Sequence, residues 1–546
     1  MKFLLKSLAV AALLATVLHE PAQACTNLLI SKGASKDGSC MIAYAADSHD
    51  LYGELYFKAG GLHQSGELRD IHEWDTGKFL GRIKEAPITY TRVGNMNEHQ
   101  VSIGETTFGG RKEYSEGQSG TVDYGSLMYI VLERAKTARE GIQVMADIIT
   151  EYGYYSEGEM FSIADPSEVW MMAMIGKGKG AKGAVWVAQR VPDGCISAHA
   201  NQCRIGKFPQ NDPKNCLYAP DVIKFARDKG LYKGEDADFD FAAAYAPYNF
   251  SGQRFCEARV YSVFHHAAPG AKLSLDFAKG VYQAEALPLW IKPDQKLSAQ
   301  DVMALMRDHF EGTPLDLHDD IGAGPFNCPY RWRPMEWKID GKEYVFERAI
   351  STQQTGFSFI AQSRSWLPDP IGGLQWFGVD DTYSTVYVPI YCGVRDVPKP
   401  YAVGTADFRS FSWDGAHWVF NFVANWAYTR YSDMIVDIQK VQRELEGGFA
   451  AEIPEIDQAA KKLYEQSPLQ ARDYLTHYSV KQGEVTVARW RKLGEFLLWK
   501  YMDGNVRDEK GKVTHPPYRP EWYRAIVKEK GETIKRVYHP GEEPEN

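Results

Sequence analysis

The sequence lacks several features that would assign a function directly. It contains no P-loop and no internal repeat, so it indicates neither a P-loop nucleotide-binding enzyme nor a repeat protein. Basic residues are nowhere concentrated, and the formal net charge is −9. Because phosphate binding requires a positively charged surface, we expect no nucleic-acid partner.

The sequence also lacks the spacing of the common metal sites. Its eight cysteines include no C-x-x-C pair, and there is no H-E-x-x-H motif and no EF-hand loop. Three cysteines lie close together in sequence, and we expect a local disulfide or buried thiols there instead of zinc: Cys195, Cys203 and Cys216. His265, His266 and the segment from His318 to Asp320 are expected in loops and caps. No metal and no cofactor is therefore predicted.

Long apolar runs are missing after the first 24 residues. The chain opens with Lys2 and Lys6 around a short apolar run, LAVAALLATVL, and reaches Ala22-Gln23-Ala24. The run is shorter than the roughly 20 residues that a membrane-spanning helix needs. This pattern predicts a secretory signal peptide over residues 1–24. We expect a secreted or periplasmic protein with no membrane contact after cleavage.

The remaining chain mixes strand and helix patterns in blocks. TNLLIS and CMIAYAA are predicted strands joined by a turn-rich loop, and an apolar stripe predicts one helix over residues 127–149 that ends at Gly153. Further strands are predicted in FSIADPSEVWMMAMIG, in AVWVAQRV and in CISAHAN, which ends at Asn201. The aromatic-rich region 350–430, including HWVFNFV, predicts more sheet, and the chain from about residue 432 predicts helices. An α+β layered fold follows, with one domain over 25–431 and a mainly helical region over 432–546.

Cys25 directly follows the predicted cleavage site. Cleavage would give this residue a free α-amine with a pKa of about 7.7 to 8 beside a thiol with a pKa of about 8.5. The amine can then accept the thiol proton, so that one residue is both nucleophile and base. The alternatives are a disulfide cysteine and a lipid-anchored cysteine of a secreted binding protein. Lipidation usually accompanies Leu three residues earlier, where this chain has Ala22, and a flexible tether, where this chain begins a strand.

An N-terminal nucleophile also needs an acid beside its amine, donors for the oxyanion and a positive charge. Asp47, after the second strand, Asn201, at the end of a strand, and Arg259 are the candidates, with Arg254 as a nearby rival. Each has a simpler interpretation. Asp47 and Asn201 are also common in turns, and an arginine is often part of a surface ion pair.

Many segments in order resemble the C69 dipeptidases, a family related to choloylglycine hydrolase and penicillin V acylase. They include CTNLLISKGASKDGS, NEHQVSIGETTF, RVPDGCISAHAN, EGTPLDLHDD, QTGFSFIAQSRSWLP and LQWFGVDDTYSTVYVPIY, and they cover most of residues 25–430. The resemblance implies a four-layer αββα sandwich of the N-terminal nucleophile hydrolases.

The resemblance also implies a role for each candidate residue. Cys25 would be the nucleophile, Asp47 would hold its amine, Asn201 would contact the carbonyl or oxyanion, and Arg259 would be the active-site arginine. Thr107 or its backbone stands where related acylases have an asparagine donor. One position departs from the family, because Tyr44 stands where an arginine is usual.

These observations predict an exported cysteine dipeptidase that acts on small peptides and forms a thioester with its substrate. An N-acyl amide hydrolase, acting on bile salts or penicillins, is an alternative with the same chemistry. A non-catalytic secreted lipoprotein is the alternative from another class. A homo-oligomer is possible in each case.

Overall fold

A computed structural model describes residues 25–115 and 119–542 of the 546-residue chain. The predicted signal peptide, residues 1–24, lies outside the described residues. Within them the structure is a mixed α/β fold with antiparallel sheets and a helical C-terminal region. None of the described helices has the length and apolar content that crossing a membrane requires.

One sheet carries both N-terminal strands. Its six strands are all antiparallel to their neighbours and lie in the order Ile196–His199, Thr26–Ile30, Cys40–Asp47, Thr355–Ser363, Gly373–Val379 and Val388–Tyr391. The predicted hairpin of the first two strands is therefore confirmed. The loop of this hairpin is stabilised by the Ser39 backbone N–H and hydroxyl, which both donate to Asp37 Oδ1, at 3.0 and 2.6 Å.

A second antiparallel sheet has eight strands. Their order is Cys216–Tyr218, Ala184–Arg190, Val169–Gly176, Gly158–Ala164, Ser102–Gly109, Met96–Asn97, Arg92–Val93 and Phe57–Lys58. The described residues also form five two-stranded sheets: Ser119–Gly120 with Gly153–Tyr154, Leu68–His72 with Phe79–Lys84, Gly61–Leu62 with Ile88–Thr89, Glu336–Ile339 with Lys342–Val345, and Val506–Arg507 with Val513–Thr514. The long central strands are buried on both faces, as strands covered on two sides must be.

The helices occupy three parts of the chain. The first part holds Lys112–Ser115, Tyr124–Arg134 and Ala138–Tyr152. The middle part holds Val222–Asp228, Phe241–Tyr245, Ala258–Ala267, Ala299–Leu305 and Asp369–Gly372. The C-terminal part holds Ala416–Ala427, Tyr431–Gln466, Pro468–Tyr501 and Pro520–Ile534.

Each large sheet packs against helices with one apolar face. Leu127 and Met145 of the early helices join Phe161 and Trp170 of the eight-stranded sheet in one buried cluster. Trp376 of the six-stranded sheet lies in another cluster, which includes residues of the C-terminal helices such as Phe420 and Trp490. The C-terminal helices thus share a core with the sheet, and the division into domains at 431/432 stays a prediction.

Buried polar contacts connect the two large sheets. His199, on the edge strand of the six-stranded sheet, contacts Thr106 Oγ1 through Nδ1 and Ser162 Oγ through Nε2, each at 2.7 Å. Burial lowers the pKa of His199 to about 3, so its ring is neutral at physiological pH. Asn27 Nδ2 donates to the Glu105 carbonyl at 2.5 Å. These bonds fix the strand Ser102–Gly109 beside the N-terminal hairpin.

Two secondary-structure predictions are wrong. The helix predicted over 127–149 is two helices, because Thr137 caps the second one by accepting a hydrogen bond from the Glu140 N–H at 3.1 Å. Its predicted end is right, since Gly153 adopts a φ of 81° there. HWVFNFV is not a strand but lies in the helix Ala416–Ala427, whose buried residues recur at helical spacing.

Candidate active site

Cys25 is buried at the start of the first strand, with 4% of its surface exposed. The pairing of Thr26 with Ala45 puts Cys25 opposite Ala46 and next to Asp47. Its Sγ lies 3.6 Å from Glu105 Oε1 and 3.8 Å from the Tyr44 hydroxyl. The thiol therefore contacts residues from both large sheets.

Asp47 ends the second strand and is 1% exposed. The Thr355 hydroxyl donates to its Oδ1 at 2.6 Å, while its Oδ2 is buried and has no hydrogen-bond partner among the described residues. Burial raises the pKa of Asp47 to about 7, although the Thr355 hydroxyl and the guanidinium groups of Arg259 and Arg348 lower it. One oxygen of this carboxyl is thus available to a donor that the described chain does not supply.

Arg259 is completely buried in the first turn of the helix Ala258–Ala267. Its Nη1 donates to the Cys25 carbonyl and to Thr26 Oγ1, each at 2.8 Å. Its Nη2 donates to the Ala200 carbonyl at 3.0 Å and to Asn201 Oδ1 at 2.9 Å. The planar fork of an arginine can satisfy these acceptors together, which fixes the backbone on both sides of the site.

Arg254, the rival candidate, lies one turn earlier in the π-helical segment Gly252–Glu257. Its Nη2 is ion-paired with Glu347 Oε1. Arg348, which the sequence reasoning missed, is half-buried and close enough to Asp47 and Arg259 to affect the charge of the site. Burial and the positive charge of Arg259 lower the pKa of Arg348 to about 9. The structure therefore brings Arg259 and Arg348 to Asp47, and pairs Arg254 elsewhere.

Asn201 and Thr107 lie together at a half-buried edge of the site. The strand Ile196–His199 ends before Asn201, which adopts a φ of 63°, a conformation that asparagine tolerates better than most residues. Its Nδ2 donates to the Thr107 carbonyl at 2.8 Å. The Thr107 hydroxyl donates to Glu159 Oε1 at 2.9 Å.

Tyr44 packs edge-on against Phe357 and Phe359, with ring centroids 5.8 and 5.7 Å away. Its hydroxyl donates to Glu105 Oε1 at 2.6 Å. Gly104 makes this approach possible, because a Cβ on Gly104 would lie 3.0 Å from the Tyr44 Cβ. Tyr44 therefore connects the second strand, through this hydrogen bond, to a carboxyl beside the thiol.

Glu105 and Glu159 are the functional candidates that sequence reasoning missed. Each is 1% exposed, and their strands pair so that Thr107 lies opposite Glu159. The two carboxyls are hydrogen-bonded to each other. Burial raises the pKa of Glu105, and burial together with the charge of Glu105 raises the pKa of Glu159 well above its ordinary value. The only signal in the sequence was the acidic first residue of ETT, in a segment that otherwise suits a strand.

The resting electrostatics oppose thiolate formation. Burial raises the pKa of the Cys25 thiol well above its ordinary value, and the charges of Glu105 and Asp47 raise it further. A backbone N–H of Asp47 and the Tyr44 hydroxyl act in the opposite direction. A reactive thiol needs a nearby positive charge, so the buried acids on both sides of Cys25 disfavour its thiolate form.

The cysteines and the clustered histidines are the remaining groups that could bind a metal ion. All eight cysteines are free thiols, so the local disulfide is absent and the alternative of unpaired thiols holds. Among the described residues, His309, Glu311 and His318 have ligand atoms within 4.8 Å of one another. Glu311 Oε1 lies 3.3 Å from His309 Nδ1 and 3.9 Å from His318 Nε2. These distances are also those of ordinary ion pairs. Peptide cleavage by a thiol requires no ion there.

A separate cavity of about 590 Å³ lies between the six-stranded sheet and the helix Tyr431–Gln466. Its lining includes Asp37, Gln362, Trp376 and Asp457. None of the candidate residues lines it. The cavity is therefore separate from the buried cluster of candidate residues around Cys25.

Comparison with known proteins agrees with the resemblance seen in the sequence. The sequence model of peptidase family C69 matches residues 68–444, more than half of the chain, and this range includes Glu105, Thr107, Asn201 and Arg259 but begins after Cys25. A probable dipeptidase of Salmonella dublin is 28% identical over 392 residues, which cover 68% of this chain and 82% of the relative. A probable dipeptidase of Latilactobacillus sakei is 26% identical over 398 residues, covering 69% and 76%. Probable dipeptidase B of Streptococcus pyogenes serotype M1 is 23% identical over 503 residues, covering 88% and 94%. The chain therefore belongs to peptidase family C69.

Proposed function

We propose that this chain is an exported cysteine dipeptidase whose nucleophile is the N-terminal residue of the mature protein. Cleavage after Ala24 would remove residues 1–24 and leave Cys25 with a free α-amine. The observation that carries the proposal is the buried Asp47 carboxyl next to Cys25, whose Oδ2 has no partner among the described residues. An α-ammonium group at Cys25 supplies the cation and the donor that this oxygen needs.

The proposed fold is the αββα sandwich of the N-terminal nucleophile hydrolases. The contacts of His199 and Asn27 between the two large sheets support it, as do the helices packed on each sheet. In such a fold the nucleophile begins a central strand. The place of Cys25 directly before Thr26–Ile30, an inner strand of the six-stranded sheet, supports this proposal.

The reaction begins when the neutral α-amine accepts the thiol proton, which produces the ammonium group that Asp47 holds, and the thiolate attacks the scissile carbonyl. The resulting tetrahedral oxyanion collapses, the C–N bond breaks, and the ammonium returns its proton to the leaving amine. Water then attacks the thioester after giving a proton to the α-amine. The C–S bond breaks, the thiol regains that proton, and the acid product leaves.

The remaining residues orient this chemistry. Arg259 holds the Cys25 carbonyl and Asn201 in place through its fork of hydrogen bonds. The side-chain amide of Asn201 lies at the half-buried edge and is the proposed contact for the substrate carbonyl or the oxyanion. The Thr107 hydroxyl is already bound to Glu159, so its proposed contribution to the oxyanion comes through the backbone.

The substrate class is inferred from the relatives, which are named probable dipeptidases. The test is hydrolysis of a dipeptide library by the purified mature protein. Cys25→Ala should lower turnover by at least about 10⁴-fold because it removes the nucleophile while the fold is kept. Adding one uncleaved glycine before Cys25 should be as damaging, because an amide nitrogen cannot accept the thiol proton.

Three results would contradict the proposal. Wild-type turnover by either variant would refute the mechanism. A diacylglyceryl group on Cys25, found by mass spectrometry of the mature N-terminus, would indicate a lipoprotein instead. Hydrolysis of bile salts or penicillins with no cleavage of dipeptides would indicate an N-acyl amide hydrolase.

A further inference from the structure

The carboxyl pair beside the thiol poses an electrostatic problem that the proposed chemistry leaves open. Asp47 is to be neutralised by the α-ammonium of Cys25, but Glu105 has no such partner. Among the described residues no lysine, arginine or histidine forms an ion pair with Glu105 or Glu159. No cation among the described residues therefore offsets an ionised Glu105, whose Oε1 lies 3.6 Å from the Cys25 sulfur.

The groups around the pair do not neutralise it. Tyr44 donates one hydrogen bond, and Thr107 donates another. Tyr124, Tyr154, Glu157 and the exposed Asp75 are the other titratable groups close to the pair, and none of them is a cation. Glu105 Oε2 receives no hydrogen bond from any described N–H or O–H outside the pair. A buried charge in this condition calls for a cationic ligand.

The geometry defines which cation fits. In a dipeptide, the α-nitrogen and the scissile carbonyl carbon belong to the same residue and are about 2.5 Å apart. A carbonyl poised for attack lies about 3 to 3.5 Å from the sulfur. A carboxylate oxygen 3.6 Å from that sulfur is therefore within reach of the α-ammonium group of the residue being acylated.

We propose that the Glu105–Glu159 pair is the subsite that binds the free α-ammonium group of the substrate, with Tyr44 as its positioning residue. This inference rests on the proposed function. The bound ammonium also removes the negative charge that opposes thiolate formation, so substrate binding itself activates Cys25. N-acylated amides carry no such charge and leave Glu105 unpaired.

The proposed subsite explains why a tyrosine at position 44 can replace the arginine that is usual in the family. An arginine at position 44 would form a permanent ion pair with Glu105. The tyrosine hydroxyl orients the same carboxylate with one neutral hydrogen bond of 2.6 Å and leaves its charge for the ligand. The departure from the pattern is thus expected to strengthen selection for a free amine.

The test compares three substrates: a dipeptide that the wild-type enzyme cleaves, its N-acetyl form, and its des-amino form with hydrogen in place of the amine. Wild-type kcat/KM should fall by about 10- to 100-fold on the des-amino substrate, because one charge-assisted interaction is lost. It should fall at least as much on the N-acetyl substrate. Glu105→Gln should lower kcat/KM on the dipeptide by the same factor and should not lower it on the des-amino substrate.

Two further variants separate binding from structure. Glu159→Gln resembles the protonated partner and leaves the negative charge on Glu105, so it should keep the preference for the dipeptide over the des-amino substrate. Tyr44→Phe should weaken that preference by a smaller factor than Glu105→Gln does. Glu113→Gln, an exposed substitution on the helix Lys112–Ser115, is the matched control and should behave as wild type.

A second measurement does not depend on turnover. Alkylation of Cys25 by iodoacetamide, followed by mass spectrometry at pH 7, should be faster in Glu105→Gln than in wild type because a repelling charge is gone. Equal wild-type rates on the dipeptide and its des-amino form, or slower alkylation in Glu105→Gln, would overturn the subsite while leaving Cys25 as nucleophile. Retention of dipeptide cleavage by Cys25→Ala would instead refute the proposed function.

Discussion

Two buried carboxyls flank the same thiol in opposite electrostatic surroundings. Asp47 belongs to the six-stranded sheet and is close to the guanidinium groups of Arg259 and Arg348. Glu105 belongs to the eight-stranded sheet, where its hydrogen-bond partners are Tyr44, Cys25 and the second carboxyl, Glu159. One carboxyl is thus surrounded by the protein's own cations, and the other by none among the described residues.

From this difference we infer that the two sheets have different roles, one in the chemical step and the other in binding the substrate amine. In the proposed mechanism the six-stranded sheet carries the nucleophile and Asp47, and the negative charge of Asp47 is offset by Arg259, Arg348 and the α-ammonium group that maturation would supply. The eight-stranded sheet carries a charge that only a ligand can offset. Catalysis and selection of a free amine would then be separable by mutation, which the following predictions examine in order of effect.

Asp47→Asn should have the largest effect in this comparison. The amide keeps the size of the carboxyl but cannot hold an ammonium group by charge, so the amine and thiol lose their alignment. We expect kcat/KM to fall by about 10²- to 10³-fold on both the dipeptide and its des-amino form. Steady-state kinetics on the mature enzyme measure it. Unlike Glu105→Gln, this variant should not change the ratio between the two substrates.

Asp380→Asn is the matched control for that change. Asp380 is also a buried aspartate, 2% exposed, directly after the strand Gly373–Val379, which lies two strands away from Cys40–Asp47 in the same sheet. Its Oδ1 accepts a hydrogen bond from Asn421 Nδ2 at 2.9 Å, and burial raises its pKa to about 8. Activity within about twofold of wild type is expected, since Asp380 does not contact Cys25. Equal losses in both variants would mean that Asp47 is only structural.

Arg259→Lys should have an intermediate effect. Lysine keeps the positive charge near Asp47 but cannot reach the carbonyls of Cys25 and Ala200 and the side chain of Asn201 together. We expect kcat/KM to fall by about 10- to 100-fold, mainly in kcat, because the reacting groups lose orientation. Arg254→Lys is the control, and a loss as large as that of Arg259→Lys would contradict the assignment.

Sequence reasoning brought together the candidates Cys25 and Asp47 on the six-stranded sheet, but on the eight-stranded sheet it found only Thr107 and missed Glu105 and Glu159. Cys25 and Asp47 begin and end one hairpin, so a turn signal and strand periodicity were sufficient to bring them together. Glu105 and Glu159 are 54 residues apart in sequence and meet through the pairing of Thr107 with Glu159. A single sequence carries no information on that register, because it depends on tertiary packing.

The errors in secondary structure have local causes. In the segment Ala416–Ala427 the aromatic residues suggested a strand, but apolar residues at helical spacing decided the outcome, since this face packs on the six-stranded sheet. The T-x-x-E pattern from Thr137 to Glu140 was a readable start signal for a second helix. The left-handed φ of Asn201 and the Arg259 bonds that use it could not be read from sequence at all.

The last prediction concerns stability and uses the chain with one extra glycine before Cys25. Without an α-amine there, burial raises the pKa of Asp47 to about 7, above its ordinary value near 4, so the folded state binds a proton that the unfolded state releases. Stability of this chain should therefore fall as the pH rises from about 4 to about 7 and change little above that.

In the mature chain the α-ammonium of Cys25 stabilises ionised Asp47 and reduces this loss. Urea unfolding at pH 5 and pH 8 should show the mature chain gaining roughly 1 to 3 kcal/mol over the extended chain between the two values. Asp47→Asn, which cannot ionise, should remove the difference, whereas Glu105→Gln should leave it intact, because Glu105 lies on the side of the thiol that awaits the substrate.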